Sequence, residues 1–246
     1  MIKDKSKILV IGESCKDIFV YCDANRLCPD IPVPVLSIKN KTENEGMAKN
    51  VQRNIKSFMD CDILTNNNWE DISKTRYIHN ESNHMFIRID TPHNIEKINL
   101  KNINYNYDII VIADYNKGFL SESDIELICE NHPLVFLDTK KILGNWAKKA
   151  KIIKINNHEY LNSEKFIDNE LFNLIIRTKG SEGCYYQGNN IPVINKLEVK
   201  DTSGAGDSFM AALVVKYYET NNIKKSIIFA NECASKVVSQ RGVTTI

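Results

Sequence analysis

The chain has 246 residues, 43% of them hydrophobic, and 32 basic against 31 acidic residues give a formal net charge of +1. That composition supplies one sizeable core, and a balanced charge leaves no electrostatic footprint for nucleic acid or an acidic membrane surface. Seven scattered cysteines without a Cys-x-x-Cys spacing argue against a metal cluster or a disulfide framework and read as reduced thiols of a cytoplasmic protein.

Residues 1–7 are charged, and the apolar run behind them is too short for a signal peptide or a membrane span. Residues 7–12, Lys-Ile-Leu-Val-Ile-Gly, predict a buried parallel strand ended by glycine. Residues 33–38 are extended, with Pro32 and Pro34 keeping them from the centre of a sheet. Residues 48–58 have helical spacing that puts Val51, Ile55 and Phe58 on one face. Residues 76–78 and 85–89 predict a hairpin around Asn80-Glu81-Ser82-Asn83.

From there the pattern alternates. Strands are predicted at 108–113, 134–138, 152–155 and 171–178, with helices at 121–131 and 142–149. Ser121 reads as an N-cap with Asp124 at the third helical position. Helices over 205–220 and 223–240 close the chain. Such alternation implies an α/β fold, a mostly parallel sheet covered on both faces. Ligands then gather at the carboxyl ends of the strands. A single domain over 1–246 is expected, with extended pieces within about 17–38 and 74–92 forming a small β lid.

Residues 201–207 read Asp-Thr-Ser-Gly-Ala-Gly-Asp and run straight into the apolar helix. Small residues at a helix mouth allow close approach to unpaired first-turn N–H groups, which carry partial positive charge and suit a phosphate oxygen. Asp207 places a carboxylate beside that anion site, an arrangement suited to phosphoryl transfer to a hydroxyl. A tight turn with close helix packing is the plainer reading of the same glycines. The P-loop pattern GxxxxGK[ST] is absent.

With that motif placed, the chain resembles the ribokinase-like, or PfkB, family of carbohydrate kinases over nearly its whole length. Further stretches carry the resemblance: Gly12-Glu13-Ser14-Cys15-Lys16-Asp17, Gly46-Met47-Ala48-Lys49-Asn50-Val51, Asp114-Tyr115-Asn116-Lys117-Gly118, Asn156-Asn157-His158-Glu159 and Ala230-Asn231-Glu232-Cys233-Ala234. The Pro-rich segment 26–35 is similar to the branch that phosphorylates D-glycero-D-manno-heptose 7-phosphate at O1. The resemblance implies a three-layer sandwich with a β lid, ATP and Mg²⁺ as nucleotide and cation, a sugar or sugar phosphate as acceptor, and a possible homodimer through the lid.

It also implies roles. Asp207 is the catalytic base, and the backbone of Gly204, Ala205 and Gly206 holds the transferring phosphoryl group. Asp17, Asn50 and Gly46 line the sugar, while Arg76, Arg88 and Lys117 meet its phosphate. Asn156, Glu159, Thr202 and Asn231 lie on the nucleotide side, with Glu159 near Mg²⁺ through water. Asp138 resembles a family aspartate at the sugar or phosphate end, and His158 reads as a loop histidine. Bland alternatives stay open: caps for Asp17, Asn50, Asn156 and Asp138, surface charge for the three cations, and a dipole-complementing carboxylate for Asp207.

Three departures mark this chain. Met47 stands where the family has a second glycine, Lys49 stands where it has alanine, and 58–72 is too short for a further βα unit. They leave open a kinase for another sugar or a nucleoside, and a non-catalytic sugar- or nucleotide-binding protein on the same scaffold.

Overall fold

The apolar run near the start of the chain becomes the spine of a sheet. In the computed structural model, which describes residues 7–92, 94–195 and 197–246, the chain order opens with β1 (Ile8–Ile11), β2 (Ser14–Leu27), β3 (Pro34–Met47), α1 (Ala48–Lys56), β4 (Cys61–Leu64), β5 (Ser73–His79) and β6 (Met85–Asp90). It continues with β7 (Ile109–Asp114), α2 (Glu122–Asn131), β8 (Val135–Thr139), β9 (Ile152–Asn156), α3 (Asn157–Ser163), α4 (Asn169–Leu174), β10 (Ile175–Thr178), β11 (Cys184–Tyr186), β12 (Asn189–Ile191), α5 (Ala205–Thr220) and α6 (Ile223–Val238). The charged residues 1–6, read above as part of a non-signal N-terminus, lie outside the described residues.

Eight strands form one sheet in the order β12-β11-β10-β9-β8-β7-β1-β4. The six from β10 to β4 run parallel, while β11 and β12 are antiparallel at one edge. Period-2 alternation sorts their side chains. Ile8, Val10, Ile109 and Val111 face a core built with α1, α5 and α6. Leu9, Ile11, Ile110 and Ile112 face a second core with α2, Trp146 and Leu171. α5 is apolar on nearly every side, and residues 208–215 are all buried, because α1, α6 and the sheet enclose it.

The four-stranded lid sheet has the order β3-β2-β5-β6. Its two outer strands include the Pro-bearing β3, where a missing N–H is tolerated at an edge. β2 leaves β1 almost directly, so the lid grows from the carboxyl end of the main sheet.

Three sequence expectations are corrected. Residues 142–149 hold only a 3-10 turn at Asn145–Ala147, because the Lys151 N–H bonds to Val135 O at 2.8 Å and draws the chain back to the sheet. Residues 171–178 begin as helix α4, capped by Asp168, whose Oδ1 accepts from the Leu171 N–H at 3.0 Å; a short buried apolar run cannot distinguish helix from strand. Phe58 lies past the end of α1 and is 42% exposed, its ring edge-on to Phe229.

The short segment after α1 keeps a strand, β4, but only a 3-10 turn at Trp69–Asp71, and no α-helix, follows before β5. On the face lined by Leu9 and Ile11, cover comes from an irregular stretch that buries Ile98 and Ile103.

α2 carries the predicted cap in full. Ser121 Oγ accepts from the Asp124 N–H, and the Asp124 side chain accepts from the Ser121 N–H at 2.8 Å. Ser121→Ala is expected to lower stability by about 1 kcal/mol, read as a lower urea midpoint at unchanged slope; an unmoved midpoint would contradict the capping role.

Candidate active site

The carboxyl ends of β7, β8, β9 and β10, the root of the lid and the first turn of α5 surround one cavity of about 750 Å³. Six cations line it (Lys74, Arg76, Arg88, Lys117, Lys140 and Lys154) against three carboxylates, Asp17, Asp138 and Asp207. A recess with that excess of positive charge concentrates polyanions.

The loop before α5 is built from its own polar side chains. Asp201 Oδ1 accepts from the Ser203 N–H at 2.8 Å, and Oδ2 accepts from the Gly242 N–H at 3.1 Å. Gly204 caps the helix with φ 79°, a left-handed conformation that glycine adopts freely. The Ala205 N–H, expected to face phosphate, donates to Thr202 O at 3.3 Å. Gly206 and Asp207, in the first turn, have N–H groups with no acceptor inside the helix. A Cβ on Gly206 would stand 2.9 Å from Lys154 Nζ, so the glycine lets a cation lie under the helix mouth.

Lys154 is the main residue that sequence reasoning missed. It was read as part of an apolar strand, yet it shares the Ile152 side of β9, the side that α5 covers. It is 3% exposed, and its Nζ donates to Asp138 Oδ2 at 2.7 Å. The available signal was a lysine inside Ile-Ile-Lys-Ile. Lys74, Lys140 and Tyr115 also line the cavity without having been assigned roles.

Asp207 reaches the cavity with both oxygens bonded. Asn50 Nδ2 donates to Oδ2 at 2.7 Å, and the Tyr115 hydroxyl donates to Oδ1. Burial raises the Asp207 pKa above the ordinary aspartate value, the Asn50 and Tyr115 hydrogen bonds oppose the rise, and nearby Asp138 adds to it. Asn50, expected against a sugar, is 1% exposed and does not line the cavity; its Oδ1 accepts from Arg53 at 3.0 Å. Its amide is thereby spent on the carboxylate and on Arg53.

On the lid side, Asp17 Oδ1 accepts from Arg76 NH1 at 2.8 Å, and the guanidinium lies 4.9 Å from the Phe19 ring. Gly46 sits against the Asp17 carboxylate on the neighbouring strand, outside the cavity lining. Arg88 is exposed at the rim and paired with Asp90 by two bonds of 2.7 and 2.6 Å. Lys117 is exposed, and its backbone N–H donates to buried Glu13 at 2.6 Å. Met47 lines the cavity at φ 60° and ψ −130°, a conformation unusual for a residue with a side chain. Lys49 turns away, to Glu45 at 2.6 Å and over the Trp69 ring at 4.0 Å.

Asn156 and Glu159 form a reciprocal cap on α3: the Glu159 N–H donates to Asn156 Oδ1 at 2.9 Å, and the Asn156 N–H donates to Glu159 Oε2 at 2.7 Å. Lys140 Nζ donates to Glu159 Oε1 and stands 3.8 Å from Asp138 Oδ1. Burial works against the Lys140 cation, yet Asp138 and Glu159 raise its pKa above the usual lysine value. Asp138 Oδ1 is buried without a hydrogen-bond partner. Among the described residues no cluster of three or more acidic, His or Cys ligands occurs. Mg²⁺ commonly keeps its waters and uses one or two carboxylates beside phosphate, and the unpartnered Asp138 Oδ1 is the carboxylate oxygen here that suits such an ion. His158 is exposed and contacts Asn162 Nδ2 at 3.2 Å.

A second, mostly apolar cleft of about 200 Å³ adjoins the first and shares Thr178, Thr202 and Gly206 with it. Leu197, Val199, Phe209 and Val238 line it together with Ala205 and Asn231. Asn231 Nδ2 donates to Ile191 O at 3.1 Å, tying α6 to the edge strand. Among the described residues no helix is long and apolar enough to cross a membrane.

Because Lys154 and Asp138 are both buried, removing one partner strands the other. Lys154→Met is expected to cost about 3 kcal/mol by urea denaturation, and adding Asp138→Leu to recover much of that loss. Equal stability for wild type and Lys154→Met would contradict the buried pair.

Comparison with known proteins places this geometry. Residues 132–246 match the family model described as pfkB family carbohydrate kinase. The bifunctional protein HldE of Helicobacter pylori (strain J99) is 29% identical over an alignment of 294 positions, gaps included, covering 96% of this chain and 63% of the relative. The chain therefore spans less than two thirds of that relative's length. Ribokinase from Thermotoga maritima superposes with a TM-score of 0.73 at 17% identity, over 97% of this chain and 95% of the other. Arabidopsis thaliana ribokinase, solved with ribose and ATP, gives 0.66 at 16% identity, over 96% and 94%. The fold shared along almost the whole length is ribokinase-like, and within it residues 132–246 are similar to the pfkB family of carbohydrate kinases.

Proposed function

We propose that this chain is an ATP-dependent kinase that transfers the γ-phosphoryl group to a hydroxyl of a sugar phosphate. D-glycero-D-manno-heptose 7-phosphate, phosphorylated at O1, is the first acceptor to test. One observation carries the reading: Asp207 stands on the first turn of α5, inside a cavity whose cations outnumber its carboxylates six to three. A free sugar with ATP would not need cations at both ends of that space. Arg76 and Arg88 lie on lid strands β5 and β6, Lys117 follows β7, Lys140 follows β8 and Lys154 lies on β9.

The adenosine part occupies the apolar cleft beside Asn231, and the phosphates pass Thr202 toward Gly206. The acceptor lies by Asp17, with its own phosphate toward Arg88 and Lys117. Asp207 takes the proton of the attacking hydroxyl as the new O–P bond forms. The N–H groups of Gly206 and Asp207, with Lys154 beneath them, stabilise charge on the phosphoryl oxygens. Glu159 and Asp138 would hold Mg²⁺ through water, and the ion would supply neutralisation of triphosphate charge. The lid keeps water from the reacting atoms.

The whole of 1–246 acts as one domain in this reading, in the cytoplasm and without nucleic acid or membrane as partner. The outer lid strand β6 exposes Met85, Ile87 and Ile89, each about half accessible, and a second copy would cover them. Sedimentation showing only monomer at high concentration would count against that dimer. Met47 favours a second reading, another sugar as acceptor, because its side chain takes up room that glycine would leave. ADP formation from Mg²⁺-ATP across a panel of free and phosphorylated sugars decides between the two; no turnover with any of them would leave a binding protein.

Two predictions follow from the base. Asp207→Asn should lower kcat by about 10²- to 10⁴-fold with ATP affinity nearly unchanged, and near-normal turnover would remove the assignment. The base must be ionised and burial raises its pKa. The acid limb of kcat/KM should therefore lie above the ordinary aspartate value of about 3.9, with activity lost as pH falls through it. A limb at or below that value would contradict the buried base.

A further inference from the structure

The transfer described above gives Tyr115 no part, yet its phenol donates to Asp207 Oδ1 while Asn50 donates to Oδ2. Protein donors hold both oxygens of the base before any acceptor arrives. Two ammonium groups approach the Tyr115 ring, with Lys74 Nζ 5.3 Å and Lys140 Nζ 5.6 Å from its centroid. It packs against the small cluster of Cys15, Met47 and Ile72 and lines the cavity. The strand ends one residue earlier, and Asn116, Lys117 and Gly118 behind it are exposed, with φ of 55° at Asn116 and 99° at Gly118. The side chain therefore stands at the cavity edge of a turn, next to the space an acceptor enters.

We infer that Tyr115 is a positioning residue that guards the base: its phenol holds Asp207 until an acceptor hydroxyl takes the same oxygen, so water beside bound ATP is not activated. The inference rests on Asp207 being the base. The reaction held back is hydrolysis. A water oxygen bonds to the γ-phosphorus, the bond from that phosphorus to the β–γ bridging oxygen breaks, and the water's proton passes to Asp207 and then to solvent. ADP and phosphate leave. A sugar hydroxyl, anchored by the rest of its molecule, competes with the phenol; a lone water has no such anchor.

Tyr115→Phe keeps the ring and removes the donor. Phosphate release from Mg²⁺-ATP without acceptor is expected to rise about tenfold, the worth of one hydrogen bond to a charged group. The acceptor KM should fall more than kcat changes, because no phenol has to be displaced. The acid limb of kcat/KM should move to higher pH, since a donor that favours the ionised carboxylate is lost. The other charged groups near Asp207 stay in place: Asp17 on β2, Arg53 on α1, Asp138 and Lys140 at the end of β8, and Lys154 on β9. A folded Tyr115→Phe protein with unchanged acceptor-free hydrolysis and an unmoved limb would overturn the inference. If that variant does not fold, fluorotyrosine placed at 115 in the native sequence gives a second readout. Its fluorine resonance should shift when acceptor is added with a non-hydrolysable ATP analogue, and no shift would overturn the guard. Wild type that makes no ADP with any acceptor would remove the base reading and this inference with it. An active wild type with an unaffected variant would remove the inference alone.

Discussion

The site depends on how closely the first turn of α5 lies over the end of β9. Gly206 has no Cβ, and that gap is where Lys154 Nζ stands. The lysine is buried and would be costly there alone, but Asp138 meets it at 2.7 Å. A helix N-terminus and a buried ammonium group thus point at one spot. Neither needs to reorganise when negative charge arrives, and that preorganisation gives such sites their catalytic strength.

The same crowding sets the condition of Asp207. Burial pushes its carboxyl toward the neutral form, while Asn50 and Tyr115 pull it toward the ion. The base proposed for Asp207 needs this compromise: basic enough to take a proton, yet ionised when acceptor binds. Asn50 is in turn held by Arg53, so α1 contributes to the site through α5 and not by lining the cavity with this side chain. Asp138 serves two neighbours, pairing with Lys154 through one oxygen while the other lies 3.8 Å from Lys140. The charges form one connected set, and changing any of them is felt by the rest.

Much of this was legible in the sequence because short-range rules govern it. The apolar runs at 8–11 and 109–114, the Ser121 cap and the helix starting at Ala205 each follow from local periodicity or capping. The Gly-Ala-Gly-Asp stretch marked the helix mouth that lines the cavity for the same reason. What the sequence concealed depends on distant partners. Residues 169–174 are helical because of a cap at Asp168, and an apolar run alone does not say so. Lys154 reads as a flaw in a strand until α5 is seen above it. Asn50 reads as a sugar ligand until Asp207, 157 residues away, is found on its amide. Lys49 and Met47 look alike as departures from glycine and alanine, yet only Met47 turns into the cavity.

The most direct measurement is a crystal structure with ADP, aluminium fluoride and a sugar phosphate. The expected result has the fluoride at the N–H groups of Gly206 and Asp207 above Lys154, and an acceptor hydroxyl about 2.6–3.2 Å from the Asp207 carboxylate. Nucleotide phosphates seated away from the mouth of α5, or an acceptor hydroxyl out of reach of Asp207, would contradict it.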